Sequence, residues 1–418
     1  MTLEEIMSLS DQCIMTTYGR LPIAFERGEG MRLWDTEGRE YLDFLSGIAV
    51  CGAGHCHPQI VGAISEQAGK LMHTSNLYYI GLQAKLAKRL YDLSGGYKSF
   101  FCNSGTEAVE AAVKLARRHG NEKLGGKFEI ISTEMSFHGR TYAGMTATGQ
   151  ERFHQGYEPL VPGFKYVPFN DIDALSGAIS EETGAVLLEP IQGEGGVSVP
   201  DDAYLPAVRE LCDKHGILLI LDEVQTGLGR TGMVFAHEHF GIKADIITLA
   251  KTLGGGFPIG AILARPEIAD TFGPGSHAAT FGGNFVACAA ALAYLELLTV
   301  GGLLESGDKT GGFFRQRLEA VQREFSVITD VRGKGLLLAI EFSEPIAKDV
   351  QDMCMATEPV GLITNALGDY IVRFEPPLIV MPAEIEQALV ILRSAIGTVT
   401  GSKVGCSPSG EQTSYPKG

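Results

Sequence analysis

Along this chain, short apolar runs are separated by amphipathic stretches. Five runs, YKSFFC (97–102), FEIIST (128–133), AVLLEP (185–190), ILLILD (217–222) and DIITLA (245–250), are apolar almost throughout. A strand with one wet face alternates apolar and polar residues, whereas a continuous apolar run fits a parallel strand covered on both faces. Between these runs lie helical stretches such as TEAVEAAVKLARRHG, expected to end at Gly120, and AYLPAVRELCDKHG, expected to end at Gly216. Glycine at such a position supplies the left-handed residue that closes a helix. Strand–helix alternation predicts an α/β domain with a mainly parallel sheet covered by helices.

After about residue 300 the pattern changes. FSVITDVRGKGLLLAIEF predicts two strands joined at Gly333–Gly335, GLITN and YIVRFEP predict further strands, and a terminal helix follows from Ala383. This is the pattern of a smaller α+β domain. The expected division is 1–60, an N-terminal segment (with MRLWDTEGREYLDF) packing beside the small domain; 61–300, the large domain; 301–400, the small domain; and 401–418, a polar Gly/Ser/Pro-rich tail expected to be disordered.

Length and charge narrow the function classes. A chain of 418 residues exceeds one typical domain. Its net charge of -16 argues against nucleic acid as a partner, since phosphate-backbone binding needs an excess of Lys and Arg. No apolar run reaches a membrane span, and the acidic N-terminus lacks a signal-peptide pattern. A cytoplasmic location is expected, which the scattered cysteines suit as reduced thiols. Cys51, His55, Cys56 and His57 in CGAGHCHP are too crowded for zinc-ligand spacing and read as a turn, so no metal is expected.

The candidate chemistry starts at NSGTEA (103–108), which follows a strand and opens a helix. Ser104 and Glu107 have capping-box spacing, and Gly105 allows close backbone approach. The free N–H groups of the helix start make either a plain cap or a phosphate site. Asp222 ends a very apolar strand, where open α/β sheets place ligands and where a carboxylate needs a cation or donor. GLGRTG (227–232) matches G-x-G-x-x-G, but it neither follows its strand directly nor opens a long helix, so a dinucleotide site is disfavoured. Lys251 stands between an apolar strand and Gly254–Gly256. Partial burial there would lower an amine's pKa and free its lone pair, although a snorkelling surface lysine is the plain alternative. An anion cradle, a buried acid and a lysine on successive strand ends are together what pyridoxal phosphate requires.

Read in order, GHCHP, HTSNLYY, NSGTEA, SFHGRT, LEPIQGEGG, LDEVQTGLGRTG, AKTLGGGFPIGA, TFGGN and VRFEPPL resemble the class III pyridoxal-phosphate-dependent aminotransferases from about Tyr18 to Pro382. HTSNLYY and SFHGRT look most like the acetylornithine branch. The resemblance implies PLP fold-type I and a homodimer with shared active sites. It implies Lys251 as the Schiff-base lysine, Asp222 on the pyridine nitrogen and Gln225 on the ring hydroxyl. It also implies Val224 and Phe137 on the two ring faces, and Ser104, Gly105 and Thr106 at the phosphate. Thr280 would reach the phosphate from the opposite subunit. Arg373 would grip the 2-oxoglutarate or glutamate α-carboxylate, Glu194 would pair with Arg373 when the ω-amino donor is bound, and Arg140 would hold the donor's α-carboxylate. The sequence departs from the family pattern at Val109, where Asn is common.

The expected reaction moves the ω-amino group of N²-acetylornithine to 2-oxoglutarate. Ornithine, N-succinyl-diaminopimelate, N-succinylornithine and 4-aminobutyrate remain open as donors. An aminomutase, a nucleotide-binding dehydrogenase using GLGRTG and a non-catalytic PLP-binding regulator are the competing readings.

Overall fold

The structure is a computed structural model that describes residues 1–401. But for Gly401, the expected tail at 401–418 lies outside the described residues. The strands, in chain order, are β1 (Phe25–Glu29), β2 (Arg32–Asp35), β3 (Glu40–Asp43), β4 (Lys98–Cys102), β5 (Glu129–Thr133), β6 (Phe164–Val167), β7 (Thr183–Leu188), β8 (Leu218–Asp222), β9 (Ile246–Leu249), β10 (Gly260–Ala264), β11 (Ile328–Lys334), β12 (Leu337–Phe342), β13 (Val360–Ile363), β14 (Asn365–Leu367) and β15 (Ile371–Phe374).

The largest sheet has the order β4-β10-β9-β8-β7-β5-β6. β6, β5, β7, β8 and β9 pair in parallel, and β10 runs antiparallel to both β9 and β4. Every residue of β5, β7, β8 and β9 is buried. Along β8, Leu219 and Leu221 enter one apolar cluster while Leu218 and Ile220 enter another on the opposite face. This two-sided covering is why those runs read as apolar throughout. β6 and β10 were not foreseen: β6 is a short edge strand of mixed polarity, and β10 hides behind the Gly/Pro punctuation of GGGFPIGAIL.

Helix Gly105–Lys123 runs past Gly120, against expectation. A Cβ at Gly120 would lie 1.9 Å from the Lys127 carbonyl oxygen, so glycine serves close packing there, not termination. Gly216 does close its helix, with φ 59.

Two smaller sheets flank the large one. β11-β12-β15-β14 forms an antiparallel sheet. Its first hairpin turns at Gly335 and Leu336, while Gly333 remains inside β11. The other sheet, β1-β2-β3-β13, joins the N-terminal segment to β13, which pairs parallel with β3. Gly361, Leu362 and Ile363 therefore belong to the N-terminal sheet, and the chain passes through buried Thr364 into β14 of the other. Apolar side chains from the large sheet, β11, β12, β15 and helix Pro382–Thr400 merge into one cluster. The whole is the fold-type I arrangement that the resemblance implied. Among the described residues no single helix is long and apolar enough to cross a membrane.

Candidate active site

The carboxyl ends of the parallel strands deliver the candidate residues to one place. β4 leads into Asn103–Gly105, β5 into the loop bearing Phe137, His138 and Arg140, β7 into Glu189 and Glu194, β8 ends on Asp222, and β9 leads through Ala250 to Lys251. A cavity of about 390 Å³ opens there. It is lined by Ser104, Gly105, Thr106, Phe137, Arg140, Glu194, Asp222, Val224, Gln225 and Lys251, all singled out from sequence, and also by Val109, His138 and Glu189. Lys251 and Asp222 thus face one cavity.

At one end is the start of helix Gly105–Lys123. Ser104 Oγ accepts from Glu107 N–H at 3.3 Å. The reciprocal half of the box is displaced by one residue, since Glu107 reaches back to Asn103 N–H rather than to Ser104. The Thr106 hydroxyl accepts from Arg140 and Thr141 N–H, each at 3.0 Å, which ties the Phe137 loop to the helix start. A Cβ on Gly105 would lie 2.7 Å from Val224 Cγ1, so the backbone passes close to the side chain flanking the cavity. A helix start with its first N–H groups free is an anion site.

At the other end Asp222 is buried and well supplied with donors. Thr248 Oγ1 donates to its Oδ1 at 2.8 Å, Val224 N–H donates to the same oxygen at 3.1 Å, and His138 Nδ1 lies 2.8 Å from Oδ2. Glu189 is also buried. It accepts from Phe137 N–H at 2.9 Å and Gly193 N–H at 3.1 Å, and burial pushes its pKa up to about 7.

Lys251 takes φ 44, a left-handed conformation that a side chain adopts only at a cost of about 1–2 kcal/mol. It opens a short turn, Lys251–Gly254, directly after β9. Burial lowers its pKa, with Glu375 and Glu194 opposing that shift and Arg373 adding to it. The neutral amine is therefore more accessible than in a surface lysine.

Arg373 is fully buried on β15 and does not line the cavity directly. Its Nη1 donates to Glu194 Oε1 at 2.8 Å and lies 3.4 Å from Gln225 Oε1, while Nη2 donates to Asn365 at 2.7 Å. Burial raises the Glu194 pKa, but the charges of Arg373 and Lys251 outweigh it and hold the carboxyl below the ordinary value. Arg140 is exposed and stacks over Phe153 and Phe137, with its guanidinium carbon 4.2 and 5.5 Å from the ring centres. Thr280 is exposed and outside this chain's cavity.

Sequence reasoning passed over His138, Glu189, Thr248 and Asn365. His138 and Glu189 stood inside the quoted SFHGRT and LEPIQGEGG, in the loops that follow β5 and β7, and that position was the available signal. Thr248 and Asn365 carry no such mark. At CGAGHCHP, His55 Nε2 lies 2.6 Å from Asp43, and His57 caps helix Pro58–Ala68.

An anion-binding helix start, a lysine amine and a donor-held carboxylate around one cavity fit pyridoxal phosphate, which carries a phosphate, an aldehyde and a basic ring nitrogen. Comparison with known proteins agrees. The pattern of the family "Aminotransferase class-III" matches residues 14–396. The chain is 50% identical over 387 residues to the acetylornithine aminotransferase of Caldanaerobacter subterraneus, covering 92% of this chain and 98% of that one. It is 48% identical to that of Methanocaldococcus jannaschii over 390 residues, 92% of this chain and 96% of the other. Among solved structures it resembles ornithine aminotransferase from Toxoplasma gondii (TM-score 0.91, 32% identity, 96% and 97% of the two chains covered). It also resembles acetylornithine aminotransferase from Elizabethkingia anophelis (TM-score 0.84, 38% identity, 95% and 99% covered).

Proposed function

We propose, since the chain belongs to the class-III aminotransferases, that it moves the ω-amino group of N²-acetylornithine to 2-oxoglutarate, giving N-acetylglutamate 5-semialdehyde and glutamate in arginine biosynthesis. The enzyme is a pyridoxal-phosphate-dependent transaminase. Bound pyridoxal phosphate supplies the electron sink that stabilises charge at the reacting carbon and carries the amino group between half-reactions.

The protein's own groups divide the remaining work. Ser104, Gly105 and Thr106 hold the phosphate, and Asp222 holds the ring nitrogen in its protonated form. Gln225 meets the ring hydroxyl, and Val224 and Phe137 flank the ring. Lys251 anchors the cofactor. With the donor in its place, Nζ would be positioned to take the proton from the carbon bearing the donor's ω-amine and to deliver it to the cofactor carbon on the other side of that nitrogen, a general base and then acid role that its lowered pKa suits. Arg140 orients the donor's α-carboxylate. Arg373 binds the α-carboxylate of 2-oxoglutarate when Glu194 withdraws, through paired charged hydrogen bonds. In this reading Thr280, exposed on the single chain, reaches the phosphate site of a second copy in a homodimer. The domain division at 60 and 300 belongs to the same proposal, as does a cytoplasmic setting, which suits the free cysteines among the described residues.

The observation that carries the reading is the contact between buried Arg373 and partly buried Glu194, which also feels the charge of Lys251. It gives one pocket a carboxylate site that can be masked or opened. The holoenzyme should be mixed with each of the five donors named above, without keto acid, and its visible spectrum followed. N²-Acetylornithine is expected to bleach the cofactor band fastest, and 2-oxoglutarate to restore it. A faster reaction with another donor overturns the substrate assignment.

A further inference from the structure

Behind Arg373 lies a carboxylate that the reaction above does not use. Glu375 is 0% exposed. Its backbone is fixed on both sides, the N–H donating to Phe44 O at 2.7 Å and the carbonyl accepting from Ser46 Oγ at 2.7 Å. Its Oε2 lies 3.3 Å from Arg373 Nε. Neither carboxylate oxygen of Glu375 makes a hydrogen bond, nor does Arg373 Nε, so the contact is one of charge. A buried carboxylate without donors survives only beside cations. A second cation is close by: fully buried Arg230, whose Nη1 donates to Leu336 O at 3.1 Å and Pro376 O at 2.5 Å, feels Glu375 as its strongest favourable charge.

Arg373 therefore faces two carboxylates of different character. The Glu194 side chain is 29% exposed and holds Nη1, and it can leave towards solvent. Glu375 sits in the core with no route out. Resting on the reading of Arg373 and Glu194 given above, we propose that Glu375 is the fixed counter-ion that keeps Arg373 in place while Glu194 withdraws and a substrate carboxylate takes its position. It is thus a positioning residue for the dicarboxylate half-reaction. With Glu194 in place, Arg373 lies between two carboxylates, Glu194 at Nη1 and Glu375 at Nε. With Glu194 withdrawn, Glu375 remains at Nε and Nη1 is free for one incoming carboxylate. Without Glu375, Nε loses its only side-chain charge contact among the described residues, so the fork meeting the substrate shifts.

The test separates the half-reactions. Wild type, Glu375→Gln and Glu375→Asp holoenzymes are assayed first with N²-acetylornithine alone. Their pyridoxamine forms are then assayed with 2-oxoglutarate alone. The expected result for Glu375→Gln is a rise of about tenfold or more in half-saturating 2-oxoglutarate, with half-saturating N²-acetylornithine held within about threefold, because displacing an orienting group by an ångström costs at least that much; limiting rates, which share Lys251 as base and feel Glu375 through it, change together in the two half-reactions. Glu375→Asp, which keeps the charge on a shorter arm, should fall between. Equal rises in both half-saturating concentrations, or no change in that for 2-oxoglutarate, overturn the proposal. A wild-type enzyme that fails to react with any ω-amino donor would instead overturn the reading on which it rests.

Discussion

His138 Nδ1 lies 2.8 Å from Asp222 Oδ2, and both side chains are buried. With Thr248 on the other oxygen, His138 aims the carboxylate down the cavity. The contact sets the tautomer, since an acceptor-only carboxylate needs the proton on Nδ1. Groups that orient the ligands of a metal ion are worth about 10–100-fold in its affinity, and His138 orients Asp222 by the same kind of contact. His138→Ala should therefore weaken pyridoxal phosphate binding by about that factor while leaving the fold intact. Titration of the apoprotein with the cofactor, beside a far-ultraviolet circular dichroism spectrum, checks it. Unchanged affinity would show that Asp222 needs no support.

Lys251→Ala should abolish turnover and remove the visible cofactor band, because no other described lysine lines the cavity. Part of the backbone strain at φ 44 would persist in alanine, so the variant is not expected to gain much stability. A yellow, active Lys251→Ala protein would contradict the assignment.

Gly105→Ala tests the closeness of the cradle to the ring face. The new Cβ would sit 2.7 Å from Val224 Cγ1 and 3.2 Å from Cγ2, so Val224 must move towards the cavity. Overpacking of this kind costs about 1–3 kcal/mol. Cofactor affinity and turnover should fall together. Adding Val224→Ala should recover much of the stability loss, since the two sites are in contact and their effects are coupled. If the double variant is no more stable than Gly105→Ala, the clash is not the cause.

What could be read from sequence follows burial geometry. β5, β7, β8 and β9 announced themselves because both faces are dry, and a charged residue at the end of β8 or just past β9 stood out against them. This found Asp222 and Lys251 from the pattern alone. β10 was missed because glycines and a proline obscure its start, and Gly120 was misread because a close backbone approach and a helix end call for the same residue. Arg373 and Arg140 needed the family resemblance, since an arginine in a strand or loop has no local signature of carboxylate binding. His138 meets Asp222, 84 residues on, and Glu189 meets the Phe137 N–H, 52 residues back, so their position near strand ends was visible but their partners were not; Glu375 stands two residues from Arg373, at the end of the predicted YIVRFEP strand, and nothing there marks it as buried beside two arginines.

Glu189 predicts a pH effect on activity. Burial raises its carboxyl to about 7, beside the Asp222–His138 pair. Below about 4.5 the folded and unfolded chains both hold the proton. Between there and 7 only the folded chain does, so stability declines with rising pH across that window, and the full cost of the buried charge is present above it. Ionisation near pH 7 also adds negative charge beside the ring-nitrogen site. The wild-type activity profile should show an inflection near pH 7 that Glu189→Gln lacks. An identical inflection in the variant would assign it to another group.

The His55–Asp43 pair makes a prediction on stability alone. Burial opposes charge on His55, but hydrogen bonds and charge from Asp43 and Cys51 outweigh it and push the pKa up to about 10. The distance is 2.6 Å and the Asp43 side chain is 2% exposed. A raised folded-state pKa means that the contribution is fully present below the unfolded value near 6.5 and is lost as pH climbs through 10. The pair is placed to matter, because Asp43 ends β3 and also accepts the N–H groups of Leu45 and Ser46, each at 2.8 Å. It fixes the turn that brings Ser46 to the Glu375 carbonyl. Urea unfolding of the wild type should thus show a loss of about 1–3 kcal/mol between pH 6.5 and 10, after allowance for solvent screening. His55→Gln should be less stable at pH 6.5 and approach the wild type by pH 10. A difference between the two proteins that stays constant across this range would mean that the imidazole contributes by packing and not by its charge.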